Sequence, residues 1–270
     1  MLSKILQIGK SFLSKLNPLY FIFERRRNSF TKVLHKGYSF FFSTPNALCK
    51  YRADSFSTKE PDTLEWIDSF NNNSVFWDIG ANVGLYSIYA AKTKNCSVVS
   101  FEPSIFNLEI LARNIFLNKL NDTIQILPVA LSNSIGVGTL NMSSTNVGGA
   151  LSTYNQSYGF DGKKLKIDFK FSTLSMTMDS VIKDLQLPFP KYIKIDVDGI
   201  EHLILEGGES VLKNAEEILI EFSRDFLVQK SSLVEILTKY GFTAKIYTKE
   251  ELTRFRINDN DPTYNQIWKR

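Results

Sequence analysis

The chain has 270 residues, 43% hydrophobic and 22% charged, a soluble globular balance with enough material for one α/β domain and a small extension. Its net charge of +4 is too small to argue for nucleic acid, and no apolar run approaches the roughly 20 residues needed to cross a bilayer. Cys49 and Cys96 show neither a CxxC pattern nor metal-ligand spacing and read as unpaired thiols of a reducing, cytoplasmic compartment.

The first elements are mixed. Residues 1–16 are amphipathic, with Ile5, Ile8, Phe12 and Leu16 at helical spacing among Lys4, Lys10 and Lys15. The lysines interrupt any secretory leader, so the segment reads as a helix packed on the body, with a peripheral membrane anchor as the other reading. Arg25-Arg26-Arg27 reads as a solvated turn or helix face. Residues 39–43 (SFFFS) are β-prone or buried. A helix is expected from Thr58, which can cap it, through Phe70, with Leu64, Trp66, Ile67 and Phe70 on its apolar side.

From residue 75 the pattern becomes regular. Strands are predicted at 75–79, 97–101, 123–127, 192–197 and 217–222. Helices are predicted at 84–92, 105–117, 200–212 and 232–240, the last ended by Gly241. Alternation of this kind implies a mostly parallel sheet with helices on both faces and ligands beyond the carboxyl ends of the strands. Asp78, Glu102, Asp196 and Glu221 all fall at or next to such ends. Residues 133–177 break the rhythm: they are rich in Ser, Thr, Asn and Gly, and Leu165, Ile167, Phe169 and Phe171 alternate with Lys164, Lys166, Asp168 and Lys170. They read as a β insertion containing a half-exposed antiparallel strand, set beside the active site or as an edge extension. Residues 242–247 and 266–269 read as an antiparallel hairpin at the sheet edge.

The loop in residues 75–84 (VFWDIGANVG) follows a strand and opens a helix. Gly80 permits a tight turn and Gly84 a close approach. Amides at a helix N-terminus favour the carboxylate of a ligand such as S-adenosylmethionine (SAM), and Asp78 can meet its ammonium. Asn82 stands where the dinucleotide fingerprint needs glycine, and no G-K-[ST] follows for a P-loop. Glu102, in Phe101-Glu102-Pro103, comes about twenty residues later, where a carboxylate meets a ribose diol in a βαβ unit. The adenine is expected near Val129 to Ser132.

Residues 192–201 (YIKIDVDGIE) gather a second group of polar side chains. Methyl transfer to a hydroxyl needs alignment and removal of a proton, for which Asp196, Asp198 and His202 are the candidates. Histidine is the better matched base near neutral pH, and Asp196 is the group better placed. No metal is expected; were one present, Asp196 and Glu221 would be its ligands.

Together these segments resemble the FkbM family of SAM-dependent methyltransferases. The matching stretches are Lys59-Glu60-Pro61, residues 76–87 (FWDIGANVGLYS), Phe101-Glu102-Pro103, Ala130-Leu131-Ser132, residues 194–199 (KIDVDG), Glu201 and Glu221, spanning 59–222. The family pattern resembles K-I-D-V-E-G, so Asp198 keeps the charge with a shorter reach. The resemblance implies a Rossmann-like class I methyltransferase fold with a mostly parallel seven-stranded sheet. It also implies a donor set of Asp78, Gly80, Ala81, Asn82, Gly84, Glu102 and Pro103. The catalytic domain is expected over 58–270, with an extension over 1–57 that packs on the core or contacts substrate or a membrane surface. The activity implied is O-methylation of a small molecule or glycan, with no nucleic-acid partner. An N-methyltransferase and a non-catalytic SAM-binding protein are the alternatives; the first would expect an [ND]-P-P-[YF] segment, which is absent, and the second would lack the acidic cluster.

Overall fold

The structure is a computed structural model that describes residues 27–258 and 260–270. The amphipathic segment 1–16, Arg25 and Arg26 lie outside the described residues. A hairpin comes first: β1 (Phe30–His35) pairs antiparallel with β2 (Tyr38–Ser43). Its two-residue turn, Lys36-Gly37, has both φ angles positive, the geometry that matches strand twist in a tight hairpin. Helix α1 (Ala47–Asp54) comes next, capped by the Asn46 side chain, which accepts from the Cys49 amide. Helix α2 (Pro61–Asp68) begins later than expected. Thr58 does not cap it; its hydroxyl donates to the Ser55 carbonyl, and Pro61, whose missing N–H costs nothing at a helix start, marks the first turn.

The predicted α/β core is present. Strands β3 (Val75–Ile79), β4 (Ser97–Phe101) and β5 (Ile124–Leu127) alternate with α3 (Leu85–Lys94) and α4 (Ile105–Leu117). A small sheet comes after them, built from β6 (Ala130–Leu131), β7 (Gly136–Met142), β8 (Ser152–Tyr154) and β9 (Phe169–Met176). Then come α5 (Met178–Leu185), β10 (Tyr192–Ile195), α6 (Glu201–Glu206), α7 (Glu209–Asn214), β11 (Glu217–Ser223), α8 (Leu227–Lys239), β12 (Thr243–Ala244), α9 (Lys249–Phe255) and β13 (Thr263–Lys269). The main sheet has seven strands in the order β12-β13-β11-β10-β3-β4-β5. The five from β11 to β5 are parallel, and β13 runs antiparallel to β11 and β12. Strand order reverses between β3 and β10, and such a switch point opens a crevice at the carboxyl ends.

Several boundaries differ from expectation for identifiable reasons. The single helix predicted over 200–212 is two, parted at Gly207-Gly208, which lie against the Ser132 carbonyl and Met178. The insertion is a separate four-stranded sheet in the order β6-β9-β7-β8, not an edge extension of the main one. Its long strand begins at Phe169, so the alternation at 164–168 marks only the approach to it. The first strand of the terminal pair is two residues long, and α9 sits between it and β13. No described helix is long and apolar enough to cross a membrane.

Two apolar cores lie on opposite faces of the main sheet. Trp77, Ile79, Ile193, Ile195, Ile218 and Ile220 point to one. Phe76, Val98, Tyr192 and Leu219 point to the other, where they meet Phe40 and Phe42 of the hairpin, Phe56, and Leu64 and Trp66 of α2. The hairpin therefore shares its core with the sheet. Side chains two residues on from this second set share its face, because a strand repeats every two residues. Asp78, Lys194, Asp196 and Glu221 are carried toward the hairpin, α1 and α2.

Candidate active site

The donor side is built on the turn after β3. Gly80 has φ +81°, and a β-carbon there would sit 1.9 Å from the Asp196 carbonyl oxygen, so only glycine lets β3 and β10 meet at the switch point. The Gly80 and Ala81 amides both donate to the Phe101 carbonyl at 3.0 Å. Gly84 begins α3 with φ +81° and lies under Leu111. Glu102 is buried. It accepts from the Asn82 amide and the Ser104 amide, each at 2.8 Å. Burial pushes its carboxyl up to about 7 despite those two bonds.

Glu102 lines a hollow of about 560 Å³ with Gly80, Asn82, Pro103, Asn107 and the apolar Ile79, Phe101, Val129, Ala130, Leu131 and Leu140. A carboxylate end beside an apolar slot suits a ribose diol and an adenine ring, so the residues present fit SAM. The Asn82 side-chain oxygen is buried with no protein partner, a further polar atom available at the slot. Asp78 does not line the hollow. It accepts from the Ser87 hydroxyl at 2.5 Å, and its other oxygen is buried without a protein partner. Burial raises its pKa, and Lys194 and Ser87 oppose that rise.

A second hollow of about 810 Å³ opens on the hairpin side. Arg52, Ser55, Phe56, Lys59, Glu60, Tyr86, Lys194 and Glu221 line it, together with Gly80, Asn82, Asp196 and Asp198, which also line the first. Asp196 thus sits at the junction. Its carboxylate is 28% exposed and receives the Lys194 ammonium at 2.6 Å. Lys194 is only 1% exposed. Burial alone would lower its pKa, but Asp196, Glu60 and Asp78 outweigh that and hold it above the usual lysine value. Its ammonium also lies 5.1 Å from the Tyr86 ring centre. Burial would raise Glu60, yet Lys59 and Lys194 hold it down at about 2. Glu221 is the opposite case: burial and then the surrounding carboxylates of Asp196, Asp198 and Glu60 push it well above the ordinary range.

A strap, residues 143–151, crosses between the two hollows. Arg52 Nε donates to the Gly148 carbonyl at 2.7 Å, and Asn46 Nδ2 to the Val147 carbonyl at 2.8 Å. Asn82 Nδ2 and Asn107 Nδ2 both donate to the Gly149 carbonyl, at 2.7 and 3.1 Å. Asp198, at φ +62°, accepts from the Leu151 and Ser152 amides at 2.7 and 3.2 Å. Burial and the neighbouring Asp196 push Asp198 up to about 6. Two sequence candidates, Asn82 and Asp198, therefore also hold the strap.

His202 is not brought to this junction. It is the second residue of α6, lines neither hollow and has a buried Nδ1 with no protein partner. Burial lowers its pKa, and Glu206 acts against that. Glu201 fastens the turn between β10 and α6 by accepting from the Val197 and Gly199 amides and from the Gln229 side chain. Burial pushes Glu201 up to about 7. Asp196 and Glu221 share the second hollow, but among the described residues no three His, Cys, Asp or Glu side chains form a metal-binding group.

Sequence reasoning missed Arg52, Tyr86 and Lys194. The signal for Lys194 was present: Tyr192, Lys194 and Asp196 share one strand face, so a lysine between buried neighbours needs acidic company. Arg52 carried no such signal, because the packing of α1 on the site depends on tertiary contacts alone.

The profile of the methyltransferase FkbM domain family matches residues 78–244. The chain is 22% identical over 155 residues to the hexuronic acid methyltransferase AglP of Haloferax volcanii, covering 57% of this chain and 58% of that protein's length. It is 27% identical over 184 residues to the methyltransferase sdnD of Sordaria araneosa, covering 60% of this chain and 71% of that protein. Among solved structures it is similar to the AdoMet complex of M. jannaschii TYW2, with TM-score 0.45, 13% identity, and 90% and 88% of the two chains covered.

Proposed function

We propose that this chain, which belongs to the methyltransferase FkbM family and uses SAM as its cofactor, methylates a hydroxyl oxygen of a small molecule or glycan, with a sugar as the acceptor class. The observation that carries this reading is the pair of hollows meeting at Asp196: one has the chemistry of the donor, and the other is walled by charged and hydroxyl-bearing side chains. Such a wall suits a hydroxyl-rich acceptor better than an apolar one. The similarity to a hexuronic acid methyltransferase supports the same class. In this reading residues 58–270 form the catalytic domain, and the extension over 1–57 lends Arg52, Ser55 and Phe56 to the acceptor wall.

SAM supplies an electrophilic methyl group on a sulfonium. The residues of the chain bind, align and take up a proton. Glu102 would accept hydrogen bonds from the ribose diol, with the Gly80 turn beside it. Asp196 would take up the acceptor's hydroxyl proton as the oxygen bonds the methyl carbon and the methyl–sulfur bond breaks with its electron pair left on sulfur, and Lys194 fixes that carboxylate through Oδ2. Asp198 acts as a positioning residue by holding the strap.

The test is a tritiated-methyl transfer screen against free sugars, uronic acids and lipid-linked glycans, with and without a chelator. The expected result is an alkali-stable methyl ether on a sugar hydroxyl. Methyl appearing only on amines, or tight SAM binding with no transfer to any hydroxyl acceptor, would overturn the reading.

A further inference from the structure

The acceptor hollow does not end at its own walls. Three of its lining residues, Lys59, Glu60 and Glu221, also line a third hollow of about 760 Å³. That third hollow shares no lining residue with the donor hollow. The three therefore follow one another, with Asp196 at the first junction and Glu60 and Glu221 at the second. The second junction is held from its far side. Thr263 Oγ1 donates to Glu221 Oε1 at 3.1 Å, and Asn265 Nδ2 donates to Glu60 Oε2 at 3.4 Å and to Thr63 Oγ1 at 3.1 Å. Both donors belong to β13, which pairs with β11 so that Asn265 lies opposite Glu221. Lys59 Nζ donates to Glu60 Oε1 at 2.8 Å, so the Glu60 carboxylate is bound through both oxygens.

Beyond that junction the wall is polar and partly buried. Asp62 of α2 lines it, with Phe255 and Arg256 from the end of α9 and Thr263 and Asn265 of β13. Asp62 is only 6% exposed and Asn265 only 8%, so both are set into the wall and not strewn on the surface. Burial, and after it the neighbouring Glu60, push the Asp62 carboxyl up to about 6. A carboxylate in that position does little for the fold, yet it is well suited to accept from a ligand hydroxyl. Arg256 is exposed and offers a fork of donors beside it. The acids lining the hollow outnumber Lys59 and Arg256, which disfavours a phosphate, and its charges disfavour an acyl tail.

We propose that the third hollow is a subsite for a second sugar unit, so that the acceptor is an oligosaccharide spanning both hollows and not a free sugar; this rests on the sugar acceptor argued above. Carboxylates, an amide, a hydroxyl and a guanidinium beside the Phe255 ring match the mixed polar and apolar surface of a sugar. Size points the same way. Each hollow falls within the range of about 300–1,000 Å³ that one drug-sized ligand fills. A single sugar is smaller than such a ligand, so a free sugar presented to Asp196 leaves the third hollow unfilled. The second unit makes no contact with the reacting atoms. Its binding energy holds the first unit in line with the methyl donor, and a shortened acceptor forfeits that alignment.

The test is tritiated-methyl transfer by the full chain to the mono-, di- and trisaccharides of glucose, galactose, glucuronic acid and galacturonic acid. The expected result is a kcat/KM about tenfold or more higher for a disaccharide than for its single sugar. Arg256→Ala, and separately Asp62→Asn, should each lower the disaccharide value by about fivefold or more. In both variants the single-sugar value and the calorimetric SAM affinity should stay within about twofold of the wild type, which shows that each is folded. Equal kcat/KM for one and two sugar units, or a loss in the variants that is the same for every length, would overturn this inference and leave the sugar reading standing. No transfer to a sugar of any length would overturn both.

Discussion

The two sides of the crevice are built differently. On the donor side the turn and the ribose partner come from one continuous βαβ unit, β3, the Gly80 turn, α3, β4 and Glu102, while Val129, Ala130, Leu131 and Leu140 wall the apolar slot. Backbone geometry and the Glu102 carboxylate define its ribose end. On the acceptor side the parts come from α1, the loop before α2, Tyr86 of α3, β10, β11 and the strap, which lie far apart in the chain and meet only in three dimensions. Charge defines that side, with Lys194 buried among Asp196, Glu60 and Asp78. A site made of local geometry is hard to alter without losing the fold. A site made of converging charges can be changed one residue at a time. If the two sides are this separate, substitutions should sort into those that remove donor binding and those that spare it.

The largest effect should come from Gly80→Ala. The added carbon would meet the Asp196 carbonyl oxygen at 1.9 Å, at a backbone angle that alanine avoids. A stability loss of about 3 kcal/mol or more is expected in chemical denaturation, with SAM binding lost alongside. Wild-type stability in this variant would mean that β3 and β10 are not locked together as described. Next comes Glu102→Ala, which should weaken calorimetric SAM affinity by about tenfold or more, as expected when a charged hydrogen-bond acceptor is removed. Affinity in the wild type should also rise with pH through about 7, because only the ionised Glu102 accepts from both ribose hydroxyls. Glu102→Gln should flatten that rise; a rise that persists belongs to another group.

A smaller, distributed effect concerns stability. Glu102 and Glu201 are both pushed up to about 7 by burial. Their folded pKa values exceed the unfolded ones, so the unfolded chain releases protons first as pH rises. Their contribution to the stability of the free protein should therefore fall between about pH 4.5 and 7, and the still higher Glu221 extends the fall above that range. Urea denaturation across that range checks the sign; a steady increase would contradict it. Asp198→Ala frees the Leu151 and Ser152 amides and should reduce turnover severalfold with little change in SAM affinity, measured by steady-state kinetics beside calorimetry. His202→Ala should be the mildest, within about twofold in turnover, because His202 lines neither hollow.

The same contrast explains what the sequence made legible. The strand–loop–helix order, Gly80, and the distance from the loop to Glu102 are local facts, and they are readable from spacing and period. So were β10 and the pair of acids after it. The hairpin was half visible: the aromatic run of β2 was plain, while β1 was hidden because its partner depends on the Lys36-Gly37 turn. Thr58 looked like a cap because its residue type fits, but Pro61 sets the helix start. Gly207-Gly208 breaks a helix that periodicity alone carries through, since the reason lies in Ser132 and Met178 on other elements. The acceptor wall was least legible, for Arg52 and Tyr86 reach it through packing that no local pattern encodes.

Asp196 stands where the two sides meet, and Asp196→Asn tests that placement most directly. The measurement is SAM affinity by calorimetry and methyl transfer by tritium release on one preparation of the variant. The donor side is expected to hold, with affinity within about threefold of the wild type, while turnover falls by about a hundredfold or more as the proton acceptor is lost. Turnover equal to the wild type, or affinity and turnover falling together, would contradict a junction at which Asp196 serves the acceptor and not the donor.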